Sequence, residues 1–380
     1  MVEVTQYTDL SRRNTFGMKV SCAAYVEITE EADLSALDFD ALPQPVFVMG
    51  GGSNLLFTKD FPGTVLHVGI QGTVPSYPAR PDFSPAGPAS VHVRVGAGVV
   101  FDDFCAWAAG EGLWGPENLS LIPGEAGASA VQNIGAYGVA AKDIIETVHA
   151  FDRTDGTFVD IPASECGYGY RTSRFKTEWK GRYIITAVTF CLSAVPQPKL
   201  DYGGIRRALE KRFLPLHRPV GKTKDLSLAE MTEQAPGGGG VGPSLTPQVI
   251  RETIIGIRRE KLPDPAETGS AGSFFCNPVV SREHFTRIVE TARADNGPDY
   301  EVPHYDVGER VKVPAAWMIE QCGFKGRTLG GAQVYPKQPL VIVNATGHAT
   351  PEEIIALEGQ VIDAIRTKYG ITLRPEVEHV

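Results

Sequence analysis

Two glycine-rich loops, one basic segment and one serine set between glycine and two phenylalanines are the parts of this 380-residue chain suited to chemistry. The first loop, VMGGGSNLLF (48–57), places Gly50, Gly51, Gly52, Ser53 and Asn54 directly after an apolar run. Glycines at a strand end let backbone N–H groups approach an anion and form a nest for phosphate oxygens. The spacing is neither G-x-G-x-x-G nor G-x-x-x-x-G-K-[ST], so Rossmann and P-loop readings lose support, and an ordinary hairpin turn competes with phosphate binding. The second loop, LIPGEAGASAVQNIGAYG (121–138), sets Gly124, Gly127, Gly135 and Gly138 among small residues. Its Ser129, Gln132, Asn133 and Tyr137 supply amide and hydroxyl groups suited to a planar heterocycle or a pyrophosphate. A tight small-residue packing surface explains the same glycines. Two such loops in one chain favour a dinucleotide cofactor more than either does alone.

The segment CGYGYRTSRFKTEWKGR (166–182) carries Arg171, Arg174, Lys176, Lys180 and Arg182 against a single carboxylate, Glu178. In a chain of net charge −9 this local excess suits an anionic small molecule, although Lys180 and Arg182 read better as a solvated face. In GSAGSFFCNP (269–278), Ser273 is either an exposed hydroxyl in a cleft or a helix cap; without a G-x-S-x-G elbow a hydrolase nucleophile is disfavoured. The six cysteines and eight histidines are scattered, with no C-x-x-C or H-E-x-x-H, so reduced thiols and no metal site are expected. The acidic balance disfavours a general binder of nucleic acid or anionic membrane. No secretory leader and no run of about 18 apolar residues is evident, which points to a cytoplasmic chain with no membrane span.

The elements that must position these groups alternate between strand and helix. Strand signals are VFVM (46–49), TVLHVGI (64–70), VHVRVGAGV (91–99), TVHAFDR (147–153), YIITAVTFCL (183–192) and PLVIVNA (339–345). FDDFCAWAAGEG (101–112) gathers Phe101, Phe104, Cys105 and Ala108 on one helical face, and helices are also expected at 203–213 and 246–262. In TPEEIIALEGQVIDAIRTKYG (350–370), Thr350 is an N-cap, Pro351 opens the first turn, Glu353 completes a capping box and Gly370 ends the helix. Residues 71–90 hold five prolines and read as a linker; PGGGGVGP (236–243) reads as a mobile or inserted loop. An α+β or α/β chain of two or three domains follows.

Taken together, NTFG (14–17), VMGGGSNLL (48–56), VGAG (95–98), GPENLSLIPG (115–124), VQNIGAYG (131–138), YGYRTSRFK (168–176), REKLPDP (259–265), GSAGSFFCNP (269–278), AAWMIEQCGFKG (315–326) and RPEVEHV (374–380) resemble the UDP-N-acetylenolpyruvoylglucosamine reductase family. The resemblance implies an α+β flavoprotein with a two-part FAD-binding region of the vanillyl-alcohol-oxidase type and a C-terminal α/β substrate domain. The implied division is 1–78 and 79–245 for the two FAD-binding parts, 246–373 for the substrate domain and 374–380 for a tail. It further implies that NADPH reduces bound FAD and that the enolpyruvyl ether of UDP-N-acetylglucosamine enolpyruvate is then reduced to UDP-N-acetylmuramate for peptidoglycan. A monomer without nucleic-acid or membrane partners is expected.

Position by position, Ser273 resembles the proton donor, and Arg171 and Glu376 resemble the pair that stabilises the enol intermediate. FAD contacts carry over to Gly50, Gly51, Gly52, Ser53 and Asn54, and to Pro123, Gly124, Gly127, Gln132, Asn133, Gly135, Ala136, Tyr137 and Gly138. Tyr170, Tyr202, Lys261 and Asn277 match substrate-binding positions, Tyr202 marking the subtype with a tyrosine-bearing loop. For Tyr170 and Asn277 a packing role competes, and Glu376 acts only if the tail docks. The chain departs from the family pattern at Glu125, Ala126, Ala130 and Cys276, and over a long stretch at 214–247. A different flavoenzyme oxidising a small alcohol or hydroxy acid, or a non-catalytic nucleotide-binding module, leaves Arg171, Ser273 and Glu376 unexplained.

Overall fold

The computed structural model describes residues 2–76, 90–202, 204–213 and 245–380. The glycine run 236–243, the insertion 214–247 apart from its last three residues, and 77–89 of the expected linker lie outside the described residues.

Strands β1 (Val4–Asp9) and β2 (Ser21–Ile28) precede the short helix α1 (Glu31–Ala36). β3 (Val46–Met49), β4 (Leu55–Leu56) and β5 (Phe61–Val68) follow, the first glycine loop joining β3 to β4. β6 (Thr73–Ser76) and β7 (Ser90–Gly96) lead to helices α2 (Phe101–Gly110) and α3 (Ala126–Gln132). After the small hairpin of β8 (Gly135–Ala136) and β9 (Val139–Ala140) come β10 (Ile145–Asp152), β11 (Thr157–Pro162) and β12 (Tyr183–Ser193). Helices α4 (Ile205–Phe213) and α5 (Pro247–Lys261) precede β13 (Gly269–Ser270) and β14 (Val279–Ser281). Helix α6 (Arg282–Asn296), β15 (Tyr305–Val307), β16 (Arg310–Lys312) and helix α7 (Ala315–Gln321) continue the chain. β17 (Thr328–Leu329), β18 (Ala332–Val334), β19 (Ile342–Asn344), helix α8 (Pro351–Tyr369) and β20 (Glu378–His379) complete it.

The helices form where periodicity and caps require them. In α2, Phe101, Phe104, Cys105 and Ala108 are all buried, as a 3.6-residue repeat dictates. In α8 the Thr350 hydroxyl accepts from the Glu353 amide at 3.3 Å, and the Glu353 carboxylate accepts from the Thr350 amide at 3.0 Å. Its apolar stripe of Ile354, Leu357, Val361 and Ile365 is fully buried, and Gly370 ends it in the left-handed region at φ 66°.

The chain divides into two compact units. One is built mainly from Glu27–Leu37 and His67–Glu260, the other from Glu3–Val26, Asp38–Leu66 and Lys261–Val380. These borders differ from the expected ones at 78 and 245, because strands early in the chain share a core with the C-terminal part. The first unit centres on an antiparallel sheet ordered β11-β10-β12-β7-β6. Helix α3 packs closely enough there that a Cβ on Gly127 would lie 2.8 Å from the Ala97 side chain. A separate apolar cluster joins α4 and α5 through Ile205, Leu209, Ile250 and Ile254 to Trp114 and Leu200. The second unit holds sheets ordered β1-β2-β5-β3, β13-β19-β18-β17 and β14-β16-β15, and a parallel pair β20-β4. Its core runs from Leu10, Phe16 and Met18 through Phe57, Phe274 and Phe275 to the buried face of α8.

Candidate active site

In the first unit the second glycine loop and the basic segment are stitched into one structure. Ser173 donates to the Val131 carbonyl at 2.6 Å, and Lys176 donates to the side-chain oxygen of Gln132. The Asn133 amide donates to the Gly169 carbonyl at 2.7 Å, and Arg171 Nη2 donates to the Gly135 carbonyl at 2.8 Å. Asn133, Tyr137 and Arg171 all have left-handed backbone, with φ of 47°, 49° and 54°. For residues other than glycine this conformation costs on the order of 1 kcal/mol or more and persists only where surrounding contacts fix it. One such contact is the buried Asn118, whose amide donates to the Tyr137 carbonyl at 2.9 Å and to the Lys199 carbonyl at 2.8 Å. Tyr202 packs beside this loop: a Cβ on Gly138 would sit 3.3 Å from the Tyr202 Cβ. Tyr170 and Tyr202 are both exposed.

Sequence reasoning missed Arg258, which lies one turn before Lys261 on α5 and whose Nε is buried with no hydrogen-bond partner among the described residues. Burial and the nearby Arg171 guanidinium push its pKa down, against the opposing pull of Tyr137 and Asp102. Arg258, close to both Arg171 and Tyr137, makes a locally cationic region that favours an anion. Asp102 supports the same loop. It accepts from the Leu121 amide, where φ is 59°, and is held by a two-pronged ion pair with Arg251 of α5. The helix expected over 246–262 did not indicate that two of its arginines serve the loop.

Glu125, the residue before α3, turns its carboxylate to His67, with oxygens at 2.9 and 3.1 Å from Nε2; Nδ1 of the same ring lies 3.0 Å from Glu27. Burial works to lower the His67 pKa, but the hydrogen bonds and charges of Glu125 and Glu27 outweigh it and raise it above the ordinary value. The extra carboxylate is thereby engaged by the His67 ring within the protein.

In the second unit the C-terminal tail docks. Strand β20 pairs parallel with β4, His379 opposite Leu56. The Glu376 amide donates to the Phe274 carbonyl at 2.8 Å, and the Cys276 amide donates to the Arg374 carbonyl at 2.9 Å. The Asn54 side chain donates to the Glu376 carbonyl at 3.2 Å, and the Glu378 amide donates to the Asn54 carbonyl at 3.0 Å. The first glycine loop, the GSFF segment with the half-buried Ser273, and the tail with Glu376 therefore share one backbone network. Arg374 Nη2 reaches Cys276 Sγ at 3.5 Å, bringing a cation to a position where the chain departs from the family pattern. Asn277 accepts from the Ala315 amide at 2.8 Å through its side-chain oxygen, which caps the start of α7. Gly52 has a reason of its own, since a Cβ there would stand 2.1 Å from the Arg13 carbonyl oxygen. Arg171 lies in the first unit, Ser273, Glu376, Lys261 and Asn277 in the second.

A family described as an FAD binding domain matches residues 22–162, which places the chain among flavin-nucleotide proteins. A second family, the UDP-N-acetylenolpyruvoylglucosamine reductase C-terminal domain, matches residues 264–380. Over 376 residues the chain is 43% identical to a UDP-N-acetylenolpyruvoylglucosamine reductase of Bacteroides fragilis, covering 99% of each chain. It is 39% identical over 382 residues to the reductase of Porphyromonas gingivalis, covering all of both. The chain belongs to the UDP-N-acetylenolpyruvoylglucosamine reductase family. The crystal structure of the reductase from Thermus caldophilus has the same fold, with a TM-score of 0.61 at 20% identity, covering 100% of this chain and 98% of that one.

The protein binds FAD, and the residues present fit it. The paired guanidinium groups of Arg171 and Arg258, with an orphan buried Nε, suit the anionic part of a nucleotide. Within 133–138, Asn133, Tyr137 and Gly138 have left-handed backbone.

Proposed function

We propose that this chain catalyses NADPH-dependent, FAD-mediated reduction of the enolpyruvyl ether of UDP-N-acetylglucosamine enolpyruvate, giving UDP-N-acetylmuramate for peptidoglycan. The observation that carries this reading is 43% identity, over 99% of both chains, to a reductase so named. When bound, FAD would supply hydride transfer from NADPH to the methylene carbon of the enolpyruvyl group. The protein's own residues do the rest. Hydride addition drives charge toward the substrate carboxylate, and Arg171, pre-set by its bond to Gly135, stabilises that charge as it develops. Glu376 acts with Arg171 on the enol. Ser273 donates the proton to the carbon beside the carboxylate; a strongly basic carbon needs only a positioned donor.

Tyr170, Tyr202, Lys261 and Asn277 bind the UDP-sugar in this reading, with Tyr202 folding over it. Gly50–Asn54, Pro123, Gly124, Gly127, Gln132, Asn133, Gly135, Ala136, Tyr137 and Gly138 approach the cofactor. We place the enzyme in the cytoplasm as a monomer, without nucleic-acid or membrane partners, in keeping with its charge of −9. Among the described residues no helix is long and apolar enough to cross a membrane.

The test is product identity. FAD-loaded protein given NADPH and the enolpyruvyl nucleotide yields a product two hydrogens heavier, one NADPH being oxidised per product. NADPH oxidation without that product contradicts the reading.

A further inference from the structure

The segment that carries Glu376 is held to β4 by a strand of only two residues, Glu378–His379. Its alternation is plain: Val377 is buried at 4% exposure, and His379, two residues on, turns to α8, where its Nε2 lies 3.2 Å from Oε2 of Glu358, an ion-pair contact without hydrogen-bond alignment. Glu358 is 6% exposed, a carboxylate within the apolar face of a helix, where an uncompensated charge is costly. The Phe274 ring, with centroids 6.2 Å apart, and Leu56 across the strand pair also meet His379, and neither carries charge. Neither residue of the pair is used by the proposed chemistry.

We propose that Glu358 and His379 form a latch that holds the C-terminal strand against β4 and so positions Glu376. The inference rests on the reading of Glu376 as a site carboxyl. His379 and Glu358 are positioning residues: they act by fixing the amides of Glu376, Glu378 and Val380 on the carbonyls of Phe274, Asn54 and Leu56. Pairing with Glu358 raises the His379 pKa against the opposing effect of burial. The charged latch is therefore complete below the ordinary histidine value of about 6.5 and is lost as pH rises through the raised folded value.

Four FAD-loaded variants test it: Glu376→Gln, His379→Gln, Glu358→Gln and the His379→Gln/Glu358→Gln double. Amide-exchange protection at Glu376, Glu378 and Val380 is measured, along with anaerobic rates of flavin reduction by NADPH and reoxidation by the enolpyruvyl nucleotide. The latch variants should lose protection at those amides and reoxidise about 10-fold more slowly, with NADPH reduction unchanged. The double should be no slower than the worse single, and the wild-type loss of protection as pH rises through the raised folded value should vanish in His379→Gln. Wild-type protection in His379→Gln overturns the latch, whatever Glu358→Gln does to the core. A wild-type rate in Glu376→Gln overturns the role of Glu376 instead, while the exchange data still decide whether the strand is latched.

Discussion

The backbone amide of Glu376 donates to the carbonyl of Phe274 at 2.8 Å, tying the tail to the residue that follows Ser273. The backbone that carries Glu376 and the backbone next to Ser273 are thereby joined directly. If Ser273 supplies the proton, Ser273→Ala should leave flavin reduction by NADPH within about twofold and slow reduction of the nucleotide by about 100-fold or more. Stopped-flow absorbance separates the two half-reactions. Equal losses in both would count against the proton-donor role.

Gly52 tests how tightly the first glycine loop is built. Its φ is 62°, and an alanine methyl there would stand 2.1 Å from the Arg13 carbonyl oxygen, which leaves no room for the substitution. Gly52→Ala should cost about 2–4 kcal/mol, read as a lower denaturant midpoint at unchanged slope. An unchanged midpoint would mean that the loop yields freely.

Arg251 neutralises the partly buried Asp102, which also holds the amide of Leu121. Arg251→Met leaves that carboxylate uncompensated and should destabilise the protein by about 3 kcal/mol. Adding Asp102→Asn should recover part of the loss. Strict additivity of the two substitutions would show that the pair is not coupled.

His67, between Glu125 and Glu27, has a raised folded pKa. Its ion pairs therefore stabilise fully below about pH 6.5 and fade as pH climbs through the folded value. Wild-type Tm should fall across that window more than the Tm of His67→Gln, by the equivalent of about 1 kcal/mol. Parallel profiles would show that the imidazole does not gain charge on folding.

Much of the local structure was legible in the residues. The capping box of Thr350 and Glu353, the stripe of α2 and the strand VFVM at Val46–Met49 follow from short-range pattern and are found as read. What spacing could not show depends on distant partners. The carboxylate of Glu125 finds a histidine 58 positions away, and the side chain of Asn54 finds the Glu376 carbonyl 322 positions away. Arg258 was hidden for the same reason: on a helix wheel it is one more charge beside Lys261, and only packing shows its Nε buried. The grouping of β1–β5 with the C-terminal part likewise reflects long-range pairing that a linear division at 78 and 245 misses.

The most direct measurement is an anaerobic titration of the FAD-loaded protein, first with NADPH and then with UDP-N-acetylglucosamine enolpyruvate, followed by absorbance. Membership in this reductase family predicts that one equivalent of NADPH bleaches the flavin and one equivalent of the nucleotide restores it. A flavin that NADPH bleaches and the nucleotide never restores would contradict the assignment.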